Sequence, residues 1–133
     1  MFAAVFILLY IAHYAADYPL QTDHQAAHKA DRDASGWRAN LAHTGTHILT
    51  SAALLTLIGW QTLGLHLTAA GTLAAIAWIG ASHSVIDRRR GIAWWMAHTR
   101  QASFAAHGGA AHVDQTAHIA LGLLPAALLL TLA

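Results

Sequence analysis

The chain contains no cysteine and no glutamate, and only two prolines. The missing cysteine excludes disulfides, thiolate zinc sites and cysteine-held iron–sulfur clusters, and leaves the redox compartment open. Charge of either sign is scarce: 10% of the 133 residues are charged and 56% are hydrophobic, where soluble domains carry about 25% charged residues. A soluble protein of this size needs a charged rim that this composition cannot build, so the surplus apolar surface has to face lipid. The net charge of +1 gives a nucleic-acid partner no electrostatic foothold. The length suits one domain, 1–133, and no more.

Against these absences stands histidine, present 11 times. It titrates near neutrality and is costly inside a bilayer, so the excess calls for a reason.

Four apolar stretches run along the chain, at about 2–18, 41–63, 65–87 and 114–132. Each is near the roughly 20 residues that a spanning helix needs. Pro19 closes the first, a tight turn at Gly64 joins the second and third, Arg88 to Gly91 stops the third, and a kink is expected at Pro125. The first stretch lacks the basic flank and small-residue cleavage site of a signal peptide and reads as retained. The expected fold is all-α, a polytopic transmembrane four-helix bundle with short interfacial helical segments in its two longer loops.

The basic residues set the expected orientation. Lys29, Arg32 and Arg38 follow the first span, and Arg88, Arg89, Arg90 and Arg100 follow the third; the termini and the 63–66 turn carry none. Loops 19–40 and 88–113 are therefore assigned to the cytoplasm and both termini to the outside of a bacterial inner membrane. Trp37, Trp94 and Trp95 then fall at the inner interface and Trp60 near the outer one. Thr22 to Asp33 reads as a short surface helix. Ile92 to Phe104 puts Ile92, Trp95 and Met96 on one side, as a segment lying among headgroups does, and Gly108 and Gly109 break it.

Four polar pairs share one spacing: His13 with Asp17, His43 with His47, His83 with Asp87, and Asp114 with His118. Residues four apart lie on one face of a helix, so each pair can point two ligands at the same neighbour. The pairs of the inward-running spans lie at their C-terminal ends and those of the outward-running spans at their N-terminal ends. All eight residues thus fall in one cytoplasmic layer, although Lys and Arg alone set the orientation. The helix macrodipole disfavours carboxylates at C-termini and imidazolium at N-termini, which leaves neutral imidazoles beside carboxylates in want of positive charge. His/Asp sets without cysteine suit Zn²⁺ first, and Mn²⁺ or Fe²⁺ next, and eight donors suffice for one or two ions. Plainer readings stand beside this one: Asp87 ion-paired to the arginines, Asp114 as a helix N-cap, and His43 bonded to a backbone carbonyl. The histidines at 24, 28, 66, 98, 107 and 112 read as solvated or headgroup neighbours. Gln21 reads as a helix cap or a residue of the site mouth.

The stretch Ala12-His13-Tyr14-Ala15-Ala16-Asp17-Tyr18-Pro19-Leu20-Gln21, with Lys29 beyond it, resembles the opening of the bacterial and phage family of unknown function DUF3307. Ser82 to Asp87 and Asp114 to His118 are similar to its later signatures. The resemblance implies that His13, Asp17, Gln21, His83, Asp87, Asp114, Gln115 and His118 are functional, and it leaves open which of His43 and His47 takes part, since the family commonly has one histidine there. The layout is also similar to membrane-bound metal-dependent hydrolases of the YdjM type.

The leading expectation is a metal-dependent membrane hydrolase. The metal ligands come from the eight paired residues. Asp17, Asp87 and Asp114 are the candidate catalytic bases. Gln21, Lys29, Arg88 and Gln115 are the candidate contacts to a small anionic or lipid-linked substrate, and membrane lipid or a second copy of the chain the expected partners. A divalent-metal or proton carrier competes, although the outer halves of the spans are nearly bare of ionisable groups. A haem protein with paired axial histidines and a non-catalytic or phage-type structural protein rank below it.

Overall fold

A computed structural model describes residues 1–132, which are all-α with no strand. Helix α1 is Phe2–Asp17, α2 Asp23–His28, α3 Ala34–Trp60, α4 Ala69–Ile86, α5 Arg90–His98 and α6 Ala102–Leu132. The long helices pack as a closed ring, α1 on α3, α3 on α4, α4 on α6 and α6 back on α1. Three of them, α3, α4 and α6, are long and apolar enough to cross a membrane, whereas α1 is a shorter apolar helix of 16 residues.

Local chemistry sets the boundaries, and several differ from the expected ones. The second apolar run begins at Leu41, yet α3 starts at Ala34, because the Asp33 carboxylate caps it by accepting from Gly36 N at 2.8 Å. The turn at Gly64 is longer than expected: α3 stops at Trp60, and α4 starts at Ala69 behind the Thr68 hydroxyl, which accepts from Gly71 N. Thr22 and Gln25 form a capping box that starts α2, the surface helix expected in 22–33. Pro19 follows the end of α1, where the Gln21 amide donates to the Asp17 carbonyl. The expected break at Gly108 is present, with φ +88, a conformation glycine adopts without cost. Beyond it α6 runs from Ala110, ahead of the expected start at Asp114. Ahead of Pro125, where a kink is expected, the helix widens into a π-helical turn over His118–Leu123. The proline ring would clash with the carbonyl at i−4, Leu121, and has no N–H to give it; the Trp78 indole N–H donates to that carbonyl instead, at 2.9 Å.

The bundle buries a polar cluster beside an apolar core and is apolar outside. Its most completely buried side chains include His13, Asn40, His43, His47, Ser51 and Asp87. Leu49, Leu73, Val85 and Leu132 point outward and are largely exposed. At one end, Val5, Leu9, Leu55, Ala75, Ile79, Ala126, Ala127 and Leu130 form the apolar core. Small residues bring the helices close, as packing in lipid favours; a Cβ on Gly80 would come within 2.9 Å of Ile48 Cδ1 on α3. The other end holds the polar side chains.

Candidate metal centre

Each long helix brings its polar pair to the same end of the ring. Asp17, on the last residue of α1, is the first hub. Its Oδ1 lies 3.1 Å from His43 Nε2 and 3.2 Å from His47 Nε2, both on α3. Its Oδ2 accepts from Gln115 Nε2 at 2.8 Å and lies 3.2 Å from His13 Nε2. Gln115 turns its carbonyl oxygen to His13 Nε2 at 3.0 Å, so His13 donates through Nε2 and the amide ties α1 to α6.

Asp87, just past the end of α4, is the second hub. Its Oδ2 lies 3.1 Å from His83 Nε2 and 3.5 Å from His43 Nε2, and its Oδ1 lies 3.8 Å from His118 Nε2 on α6. The rings crowd together: His47 and His83 have centroids 3.5 Å apart, and His83 and His118 4.2 Å. Asn40 and Ser84 fasten α3 to α4 beside them, with Ser84 Oγ donating to Asn40 Oδ1 and Asn40 Nδ2 to the Ser84 carbonyl.

Two sets of ligand atoms converge within 4.8 Å, one from Asp17, His43, His47 and His83, the other from His83, Asp87 and His118. Their hydrogen bonding separates them. In the first set the carboxylate oxygen meets two ring nitrogens at hydrogen-bond distance. In the second, His83 Nε2, Asp87 Oδ2 and His118 Nε2 are all buried and none makes an aligned hydrogen bond, although His83 Nε2 and Asp87 Oδ2 approach to 3.1 Å. Buried polar groups are otherwise nearly always satisfied. The other nitrogen of His118, Nδ1, lies 3.0 Å from the Asp114 carbonyl, which fixes Nδ1 as the donor and leaves a lone pair on Nε2 facing Asp87. Two histidines and one carboxylate with ligand atoms within 4.8 Å of one another form a donor set that could hold a divalent cation with positions left open.

The remaining candidates divide. His13 belongs to neither convergent set and contacts Asp17. Asp114 also stands outside them: its Oδ2 is 3.5 Å from His118 Nδ1, on the far side of the ring from Asp87. It is no N-cap either, since it lies inside the helix. Asp87 pairs with Lys29 rather than with the arginines: Lys29 Nζ is 2.9 Å from Asp87 Oδ1. The same ammonium is 3.1 Å from His43 Nε2, so His43 meets a lysine and a carboxylate instead of a backbone carbonyl. Lys29 itself is buried, 7% exposed. Arg88 points away from both hubs: it donates to the Lys29 carbonyl at 3.1 Å and to the Asp31 carbonyl, and its guanidinium lies over the Trp37 ring. Gln21 caps α1. The histidines at 24, 28, 66, 98, 107 and 112 are exposed. Asn40 and Ser51 were not singled out from the sequence, yet Asn40, His43, Thr44, His47 and Ser51 make a polar stripe at helical spacing through an apolar run, and that period was there to read.

The chain matches the family model described as "Protein of unknown function (DUF3307)" over residues 5–132 and belongs to that family. No curated protein and no solved structure matches it. The likeness to YdjM-type hydrolases therefore gains no support from these comparisons.

Proposed function

We propose that this protein is an integral membrane enzyme that uses a divalent transition metal, Zn²⁺ before Mn²⁺ or Fe²⁺, to hydrolyse a phosphoester or acyl bond in a lipid or lipid-linked substrate at the inner leaflet. The observation that carries the reading is the convergence of His83, Asp87 and His118, all buried, with no aligned hydrogen bond at His83 Nε2, Asp87 Oδ2 or His118 Nε2. A divalent ion in such a set supplies Lewis acidity, acidifying water and polarising a phosphoryl or carbonyl oxygen.

The chain's own groups do the rest. Asp17 takes protons as the general base, through the His47 imidazole at its Oδ1. Gln115 and His13 hold that carboxylate in place. Asp114 holds the His118 ring with its lone pair inward, as carboxylates behind metal-ligating histidines do. Lys29 supplies positive charge for an anionic substrate oxygen. The short helix α1 spans with the other three, the loops that carry Lys29 and Arg88 face the cytoplasm, and the exposed Trp94 and Trp95 of α5 sit among headgroups. Carrier chemistry is disfavoured because the opposite end of the bundle core is wholly apolar.

The test is elemental analysis of detergent-purified protein beside His83→Ala and His118→Ala, with release of phosphate or fatty acid from mixed phospholipid vesicles as the activity readout. The parent should hold transition metal and release product, and both variants should lose the two together. Equal, near-zero metal in all three after loading would sink the reading and leave a structural polar network. Metal without hydrolysis of any vesicle substrate would leave a metal-binding module.

A further inference from the structure

The two convergent ligand sets share His83 and invite a two-ion reading, yet Lys29 argues against it. Its ammonium touches one ligand of each set, Asp87 Oδ1 at 2.9 Å and His43 Nε2 at 3.1 Å. Its placement is built rather than incidental. Arg88, the residue after Asp87, grips the backbone of the same loop through the Lys29 and Asp31 carbonyls. Asp87 and Arg88 thus hold Lys29 by its head and its backbone at once.

Around Asp17 and Lys29 a donor can be assigned to the following contacts. His47 Nε2–H donates to Asp17 Oδ1, Gln115 donates to Asp17 Oδ2, and Lys29 donates to His43 Nε2 and Asp87 Oδ1. No aligned hydrogen bond reaches Asp87 Oδ2, His83 Nε2 or His118 Nε2, although the first two lie 3.1 Å apart. Charge points the same way. Asp17 and Asp87 are the carboxylates of the two sets, so one divalent ion together with the ammonium already exceeds their charge by one, and a second ion would bury a large uncompensated positive charge.

We infer that the centre binds a single divalent cation, at His83, Asp87 and His118, and that the Lys29 ammonium stands in place of a second ion. The inference rests on the metal reading above and deepens it. His43 and His47 are then hydrogen-bonding neighbours of the metal site rather than its ligands.

The experiment loads detergent-purified, monodisperse protein with Zn²⁺ and, separately, Mn²⁺, and measures bound ions per chain in the parent and in His43→Ala, His118→Ala, Lys29→Met and Lys29→Arg. The parent should hold about one ion, and His43→Ala should keep it while His118→Ala loses it. Lys29→Met should rise towards about two, because Asp87 Oδ1 and His43 Nε2 are released, and Lys29→Arg, which keeps the cation, should stay at about one. Two ions in the parent, loss of the ion in His43→Ala with retention in His118→Ala, or an unchanged single ion in Lys29→Met would each overturn the inference while leaving a metal protein. No ion in any of the five after loading would instead strike down the metal reading itself. Lys29→Arg guards against misfolding of the methionine variant, since a folded arginine variant with two ions also overturns the inference.

Discussion

The two ends of this bundle are held together differently. At the apolar end, Val5, Leu9, Leu55, Ala75, Ala126, Ala127 and Leu130 meet through dispersion and fit alone, with no directional bond between them. At the polar end, Asp17 and Asp87 reach side chains from every long helix through contacts of 2.8–3.8 Å that fix atom to atom. In lipid the hydrophobic effect does not press helices together, so packing and polar bonds must do so. The apolar end can therefore tolerate exchange of volume for volume, whereas the polar end fixes which helix faces which and at what rotation. One end supplies adhesion and the other supplies register.

The largest effect should come from breaking the polar end. Asp87→Ala strands the buried Lys29 ammonium and removes the carboxylate facing His83, His43 and His118. Removing one partner of a buried ion pair costs about 3–5 kcal/mol. Denaturation of the purified protein by sodium dodecyl sulfate should read that loss, with bound metal lost as well. A cost below that of an apolar truncation would mean the polar end does not set the register. That matched truncation is Leu9→Ala, at a fully buried position of α1. It should cost about 2–3 kcal/mol through its cavity, and metal per chain should stay as in the parent. Loss of metal in Leu9→Ala would show the two ends to be coupled, which the comparison denies.

The polar end was also the more legible of the two in the sequence. A histidine or aspartate in an apolar run is conspicuous, and the spacing of four with a common depth follows from the positions of His13, Asp17, His43, His47, His83, Asp87, Asp114 and His118 alone. The structure gathers these residues at one end as expected. The partition among them was hidden, because spacing says which residues share a face but not which nitrogen of a ring points where. Thus Asp114 and His13 stand behind the convergent sets, and Lys29, fourteen positions before His43, reaches into them from a loop. Helix boundaries were misplaced for a related reason. Hydropathy marks where apolar residues begin, whereas helices begin at caps, and Asp33 and Thr68 are caps that lie off the edges of the apolar runs. At the apolar end, alternatives such as Leu9 and Ile7 are alike in composition, and only packing separates the buried one from the exposed one.

A smaller effect should sharpen the polar side. Asp114→Asn keeps shape and the backbone carbonyl that receives His118 Nδ1, but removes the charge 3.5 Å from that nitrogen. Residues behind metal ligands typically change affinity by about 10- to 100-fold, so Zn²⁺ titration should weaken within that range while stability in detergent stays close to the parent. Unchanged affinity would make Asp114 a bystander to the centre.

The smallest expected effect tests whether adhesion at the outward side of α4 and α6 is wholly non-directional. Trp78 donates its indole N–H to the Leu121 carbonyl, the group that Pro125 cannot serve. Trp78→Phe keeps an aromatic ring and removes that donor, at a cost of about 1 kcal/mol. Pro125→Ala restores a backbone N–H at the position four residues beyond Leu121, so in that background the same Trp78→Phe change should cost less. A double-mutant cycle by detergent denaturation reads the difference. Equal costs in both backgrounds would mean that the indole contributes by its ring alone, and the α4–α6 seam would then be adhesive without a single directional bond. Unequal costs would place one fixed contact in it, and the proline would be the reason that contact exists.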